Sequence, residues 1–226
     1  MSNINNIVSD RNTGTFKIVD NNGDALLEVD SNNELKIGRG SNRRTLVNSA
    51  GLPQVSNTRG LYASISAGTL INNTTIQSLT PSSSVGSLSI PTDGFSIGDC
   101  FHLVITGDCV FTNNDEIQIT IKQNGNILAQ TPAFLLEDAN SGNNVFEIEA
   151  DFNIRSIGAG GSIHTSFEFT YNKASLDSKD FRGTRSNDTQ SINTTISSTL
   201  DVEFQFITKN GSSSIQTQLF RLQKVY

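Results

Sequence analysis

Val145-Phe-Glu-Ile-Glu-Ala-Asp-Phe-Asn-Ile-Arg-Ser-Ile-Gly-Ala-Gly-Gly-Ser-Ile-His-Thr-Ser-Phe-Glu-Phe-Thr-Tyr171 sets a large apolar residue at nearly every second position, on both sides of a glycine cluster. In its first half Phe146, Ile148, Ala150, Phe152 and Ile154 fall on one face, and Glu147, Glu149, Asp151, Asn153 and Arg155 on the other. Ile163, Thr165, Phe167, Phe169 and Tyr171 repeat the alternation in the second half. Successive side chains of a strand point to opposite sides, so this spacing predicts two long strands, each with one buried and one wet face. That is the wall of an antiparallel sandwich or barrel, and the fold class it implies is all-β.

The composition agrees. Of 226 residues 35% are hydrophobic and 17% charged, and 25 Asn together with many Ser and Thr favour turns and sheet surfaces over helices. Thirteen Phe and no Trp supply the bulk of the core. A net charge of −6 is the wrong sign for neutralising phosphates, and Arg39, Arg43 and Arg44 in a polar turn read as solvated or paired, so no nucleic-acid partner is expected. The start, Met1-Ser-Asn-Ile-Asn-Asn6, has no signal-peptide pattern, and no run approaches the roughly 20 apolar residues of a membrane span. Synthesis in a cytoplasm-like compartment and no membrane insertion are therefore expected. Cys100 and Cys109 read as free, buried thiols, and the five Asn-x-Ser/Thr sites as chance matches in an Asn-rich chain.

Two domains are expected, residues 1–59 and 60–226. In the first, Phe16-Lys-Ile-Val-Asp-Asn-Asn-Gly-Asp-Ala25 aligns with Leu26-Leu-Glu-Val-Asp-Ser-Asn-Asn-Glu-Leu35, a repeat of strand plus tight turn, with a third partial strand at Leu35-Lys-Ile-Gly38. Such short strands cannot bury a core of their own. They are expected to form a β-repeat shaft with Phe16, Ile18, Leu26, Val29, Leu35 and Ile37 facing inward among sister chains; the alternative is a hairpin folded back on its own C-terminal body. Residues 38–60 read as a connector. The second domain carries about ten strands, near residues 61–66, 74–79, 85–90, 99–106, 116–122, 127–131, 145–157, 162–172, 199–208 and 214–222, with hairpin signals at Asn124-Gly125 and Asn210-Gly211. Their spacing suggests a two-sheet jelly roll. Residues 173–191 are polar, with only Leu176, Phe181 and the nearby Ile192 as anchors, and read as a long surface excursion.

Catalytic groups are sparse. His102 and His164 are the only histidines, no metal-ligand spacing accompanies them, and neither a nucleophile elbow nor a phosphate-binding glycine loop occurs. Glu147, Glu149 and Asp151 sit about 7 Å apart along one strand, a separation glycosidases use, yet alternating carboxylates also serve as plain solvation of an exposed face. Asp20-Asn-Asn-Gly-Asp24 and Asp30-Ser-Asn-Asn-Glu34 have part of a calcium-loop spacing without its closing Glu, and turn chemistry accounts for them. No catalytic residue, cofactor or metal is assigned.

Several segments carry a resemblance. Ser87-Leu-Ser-Ile-Pro91, Phe95-Ser-Ile-Gly-Asp-Cys-Phe101, Asn114-Asp-Glu-Ile-Gln-Ile-Thr-Ile-Lys122, Phe146 to Arg155, Ile192 to Val202 and Phe220-Arg-Leu-Gln-Lys-Val-Tyr226, in that order, resemble the terminal module of structural proteins from large DNA viruses, virophages and some tailed phages. Virophage minor virion proteins are the nearest likeness. The resemblance covers roughly residues 78–226 and implies a homotrimer with a tumour-necrosis-factor-like jelly-roll head on a β shaft, displayed on a virion made in a host cytoplasmic viral factory. Its implied partners are capsid or other virion proteins and a host-surface glycan or protein. Contact loops are expected around Asp138, Asn140 and Asn143, and around Lys179, Arg182 and Arg185. A purely architectural capsid cement or plug and a carbohydrate-degrading spike are the competing roles.

Overall fold

Strand pairing in the computed structural model, which describes residues 6–10, 14–20, 22–37, 44–47, 60–139, 144–173 and 181–225, is antiparallel throughout, and no helix occurs among those residues. Contacts divide the chain into two units, Met1–Thr58 and Arg59–Tyr226.

The first unit is a five-stranded meander in chain order: β1 (Asn6–Asp10), β2 (Thr15–Val19), β3 (Ala25–Val29), β4 (Leu35–Ile37) and β5 (Arg44–Val47). The sequence repeat folds as a structural repeat. Asp20 Oδ1 accepts from the backbone N–H of Asn22 and Asp24 at 2.9 and 3.0 Å, and Asp30 Oδ1 does the same for Asn32 and Glu34 at 2.9 and 3.0 Å. These are Asx turns, in which a short carboxylate supplies acceptors the tight loop lacks. Positive φ at Gly23 (83°) and Asn33 (61°) completes them.

Register sorts this sheet's side chains into rows. Ile7 pairs with Ile18, Ile18 with Leu27 and Leu27 with Ile37; beside them Phe16 pairs with Val29 and Val29 with Leu35. Directly opposed residues share a face, so these seven form one apolar face. Leu27, which the sequence reading left out of the inward set, belongs to it by pairing with both Ile18 and Ile37. The pairing with β2 skips from Leu27 to Ala25 at a bulge, and Leu26 is the residue passed over.

The second unit contains two sheets. One has the order β16 (Phe181–Ile192), β15 (Gly161–Asn172), β14 (Val145–Ser156), β10 (Cys100–Val110), β18 (Ser214–Lys224), β6 (Gly60–Ser64), β8 (Ser84–Gly86). The other runs β12 (Asn126–Gln130), β11 (Glu116–Gln123), β17 (Ser198–Thr208), β7 (Gln77–Ser78), with β13 (Phe134–Leu135) on β11 and β9 (Ser89–Ile90) on β17. The alternation read from residues 145–171 is realised as buried and outward positions along β14 and β15. Inner faces of both sheets share one core. Phe111 is its hub, with Tyr171 at 5.1 Å, Phe206 at 6.3 Å and Phe169 at 6.5 Å between ring centroids, all edge-on.

Three expectations need correction here. Residues 181–192 are not a surface excursion but strand β16, paired along its length with β15. The strand expected at residues 74–79 shrinks to Gln77–Ser78, and that at 85–90 breaks into β8 and β9. The break falls at Gly86, whose φ is 84° and where a Cβ would meet the Leu61 carbonyl oxygen at 2.1 Å, a conformation only glycine holds. The Asn124-Gly125 hairpin is as read, with φ of 49° and 81° fitting a two-residue turn.

Candidate functional site

Two surfaces are candidates for function, the apolar face of the first unit and the outer, polar face of the seven-stranded sheet.

On the first, Ile7, Phe16 and Ile37 are 69, 37 and 45% exposed, while Ile18, Leu27, Val29 and Leu35 are half-buried. The opposite face combines charge with the buried Val19. Lys17 pairs with Glu28 across β2 and β3, Nζ to Oε1 at 2.9 Å, and Glu28 in turn lies opposite Lys36. Lys36 also holds the second repeat turn, bonded to Asp30 Oδ2 and to Glu34 Oε2 at 3.0 Å. That ammonium keeps the Asp30 carboxyl below its ordinary range, helped by the backbone N–H groups of Glu34 and Asn32. So the two carboxylates of this turn are neutralised by a lysine of the same repeat.

The outer face of the seven-stranded sheet is ordered in cross-strand rows. Arg185 lies opposite Glu168, Glu168 opposite Glu149, Glu149 opposite Val104 and Val104 opposite Arg221. Two carboxylates thus stand side by side, a repulsive pairing, and Arg185 Nη2 meets Glu168 Oε2 at 2.7 Å. The next row carries His102 and Asp151, Nδ1 to Oδ1 at 2.9 Å. His164 bonds Thr189 at 2.9 Å. Glu147, Glu149 and Asp151 are exposed on this open face. Among the described residues no cluster of His, Cys, Asp or Glu is arranged to hold a metal ion.

Cys100 faces outward and is half-buried, not buried as the sequence suggested; Asn153 Nδ2 donates to its sulfur at 3.1 Å. Cys109 is buried in the core. Burial, and then the Asp108 charge, push its thiol up to about 12.

The expected contact residues are placed unevenly. Asp138 is exposed, and its Oδ1 accepts from the Asn113 backbone N–H at 2.7 Å. Arg182 and Arg185 belong to strand β16 instead of a loop, Arg182 opposite Tyr171 and Arg185 opposite Glu168. Asn140, Asn143 and Lys179 lie outside the described residues. Sequence reasoning missed a cleft of about 170 Å³ beside Asp108, lined also by Leu70, Val110, Asn144, Ser214 and Gln216. Its residues come from distant segments and form no motif.

No protein-family model matches the chain. No curated protein matches it either. Among solved structures it is similar to the CBM2 module of the evolved Dit of Lactobacillus casei BL23 phage J-1, at 11% identity and a TM-score of 0.29, covering 60% of this chain and 66% of that one. A superposition so loose transfers neither topology nor activity. The fold described above rests on its own strand pairing, and among the described residues no helix is long and apolar enough to cross a membrane.

Proposed function

We propose that the chain is a viral structural protein, a homotrimeric, fibre-like or capsid-decorating component whose β-sandwich head, of the jelly-roll, tumour-necrosis-factor-like kind, attaches the virion to a host or partner-virus surface. It is made in the host cytoplasm and acts by binding, without catalysis, cofactor or nucleic acid. One end engages capsid or other virion proteins.

The observation that carries this reading is the seven-residue apolar face of the first unit, whose rows Ile7-Ile18-Leu27-Ile37 and Phe16-Val29-Leu35 leave Ile7, Phe16 and Ile37 in water. Covering such side chains contributes roughly 1–2 kcal/mol each when they start part-exposed. A sheet of five strands of three to five residues needs a second layer to be stable, and sister copies provide one by symmetry. Three heads then sit together, and three weak contacts add into firm attachment.

The test is the solution mass of the full chain by analytical ultracentrifugation, together with pull-down on host cells and on gradient-purified particles. A mass three times 24.4 kDa with retention on cells or particles is expected. A stable monomer at micromolar concentration, or no retention on either surface, overturns the reading.

A further inference from the structure

We propose that the head binds the terminal neutral hexose of a glycan in the cleft at the outer end of the β10–β18 pair; this rests on the attachment reading and gives it a ligand class. Asp108 is paired with Gln216 and Val110 with Ser214, so the four side chains project together from one face. The flanks are fixed by backbone. On one side the loop bearing Leu70 is tied to β18 by Gly68 N–H to Thr217 O at 2.8 Å and by Ile71 N–H to Ile215 O at 2.9 Å. On the other, Cys109 N–H donates to Asn144 O at 3.0 Å, which holds Asn144 against β10.

Size and chemistry select the ligand. The cleft is open and small, about 170 Å³, below the roughly 300–1,000 Å³ of pockets that enclose a drug-sized ligand, so it takes the end of a glycan and no longer segment. Part of the cleft's polar set is engaged within the protein and part is not. Asn144 is 4% exposed and its side-chain Nδ2 has no hydrogen-bond partner, an arrangement that buried amides avoid unless a ligand or water completes them. Gln216 Nε2 donates to Gly68 O at 3.0 Å and Gln218 Nε2 donates to Asp108 Oδ2 at 2.7 Å, which orients Gln216 Oε1 and Asp108 Oδ1 as acceptors still open. Ser214 adds a hydroxyl.

Two acceptors and a hydroxyl, with the buried and unpartnered Asn144 amide lining the cleft beside them, match vicinal sugar hydroxyls, each of which both gives and takes a hydrogen bond. Leu70, 47% exposed, and Val110 supply an apolar wall for the C–H face of the ring. The Asp108 carboxylate and the net charge of −6 repel acidic sugars, so the ligand is neutral.

Saturation-transfer NMR on the full chain tests this with glucose, galactose, mannose, N-acetylglucosamine and N-acetylneuraminic acid as probes. At least one neutral sugar is expected to receive saturation with a millimolar Kd. Asp108→Ala and Gln216→Ala should each weaken it ten-fold or more, and Ser214→Phe, which removes no hydrogen bond within the protein but fills the cleft, should abolish it with an unchanged circular dichroism melt. Silence from all four neutral sugars, equal binding of the acidic sugar, or an affinity untouched by Ser214→Phe overturns the proposal. Retention on cells or particles without hexose binding would sink the cleft and leave attachment standing; hexose binding without retention would do the reverse.

Discussion

Gly107 lies so close to the chain of Gln216 that a Cβ on it would meet the Gln216 carbonyl oxygen at 2.0 Å and the Phe146 ring at 2.8 Å. The contact falls where the β10–β18 register jumps, Thr106 opposite Leu219 and Gly107 opposite Thr217, so that Gln218 is the extra residue. Bulges re-aim side chains, and here the bulged Gln218 reaches Asp108.

Gly107→Ala therefore forces backbone apart inside the sheet. A loss of about 2–3 kcal/mol is expected from such overpacking, read as a lowered urea midpoint with an unchanged slope. Gly125→Ala is the comparison: its φ of 81° is strained for alanine, but nothing lies within 4 Å of the added methyl. A Gly107→Ala midpoint equal to wild type would show that the sheet can open at the bulge without cost.

Phe111 is fully buried and touches aromatic rings from both sheets. Phe111→Ala should cost about 3–5 kcal/mol and lower the melting temperature of the head by roughly 10 °C or more. Differential scanning calorimetry decides this, and a shift of only a degree or two would mean that the two sheets do not share the core described.

The two thiols should behave oppositely. Cys109 has its ionisation pushed up to about 12, so at pH 8 the folded protein holds almost no thiolate there, whereas Cys100 lies half-buried on the outer face. A chromogenic disulfide should titrate one thiol per native chain and two in denaturant. The linkage has a definite sign. Between the unfolded thiol's ordinary 9.0 and about 12 the folded state binds the extra proton, so stability from this group is complete below pH 9 and is lost as pH rises toward 12. Cys109→Ala should flatten that alkaline decline in a series of urea melts; an unaltered decline would assign it to other groups.

What the sequence disclosed follows from how each strand is buried. Residues 145–171 were legible because β14 and β15 are central strands with one face in the core, which imposes the period of two. β16 was illegible because it is an edge strand whose half-buried positions are Thr184, Ser186, Asp188 and Gln190. Ser186 Oγ even donates to the Gln130 backbone at 3.2 Å. Polar side chains on an edge discourage further strand pairing, and they erase the alternation that would reveal the strand. The cleft was hidden for another reason: residues near 70, 108, 144 and 214 meet only after the sheet closes. The shaft-like repeat was visible in its turns, Asp20 and Asp30 having equivalent roles, but not in its exact register.

Register is also where the assembly proposal is most exposed to test. The pattern of residues 26–29 alone cannot choose between Leu26 and Leu27, since a bulge resets the alternation. The pairing chooses Leu27, seated between Ile18 and Ile37, and leaves Leu26 without a partner across β2. A carboxylate in the middle of an apolar row meets its own copies in a symmetric oligomer, where desolvation and like charge both oppose it. Leu27→Asp is therefore expected to turn the proposed trimer into monomer in sedimentation velocity at micromolar concentration, whereas Leu26→Asp keeps the oligomeric mass. If Leu26→Asp dissociates the assembly and Leu27→Asp does not, the chains meet through the charged face that carries Lys17, Glu28 and Lys36 instead.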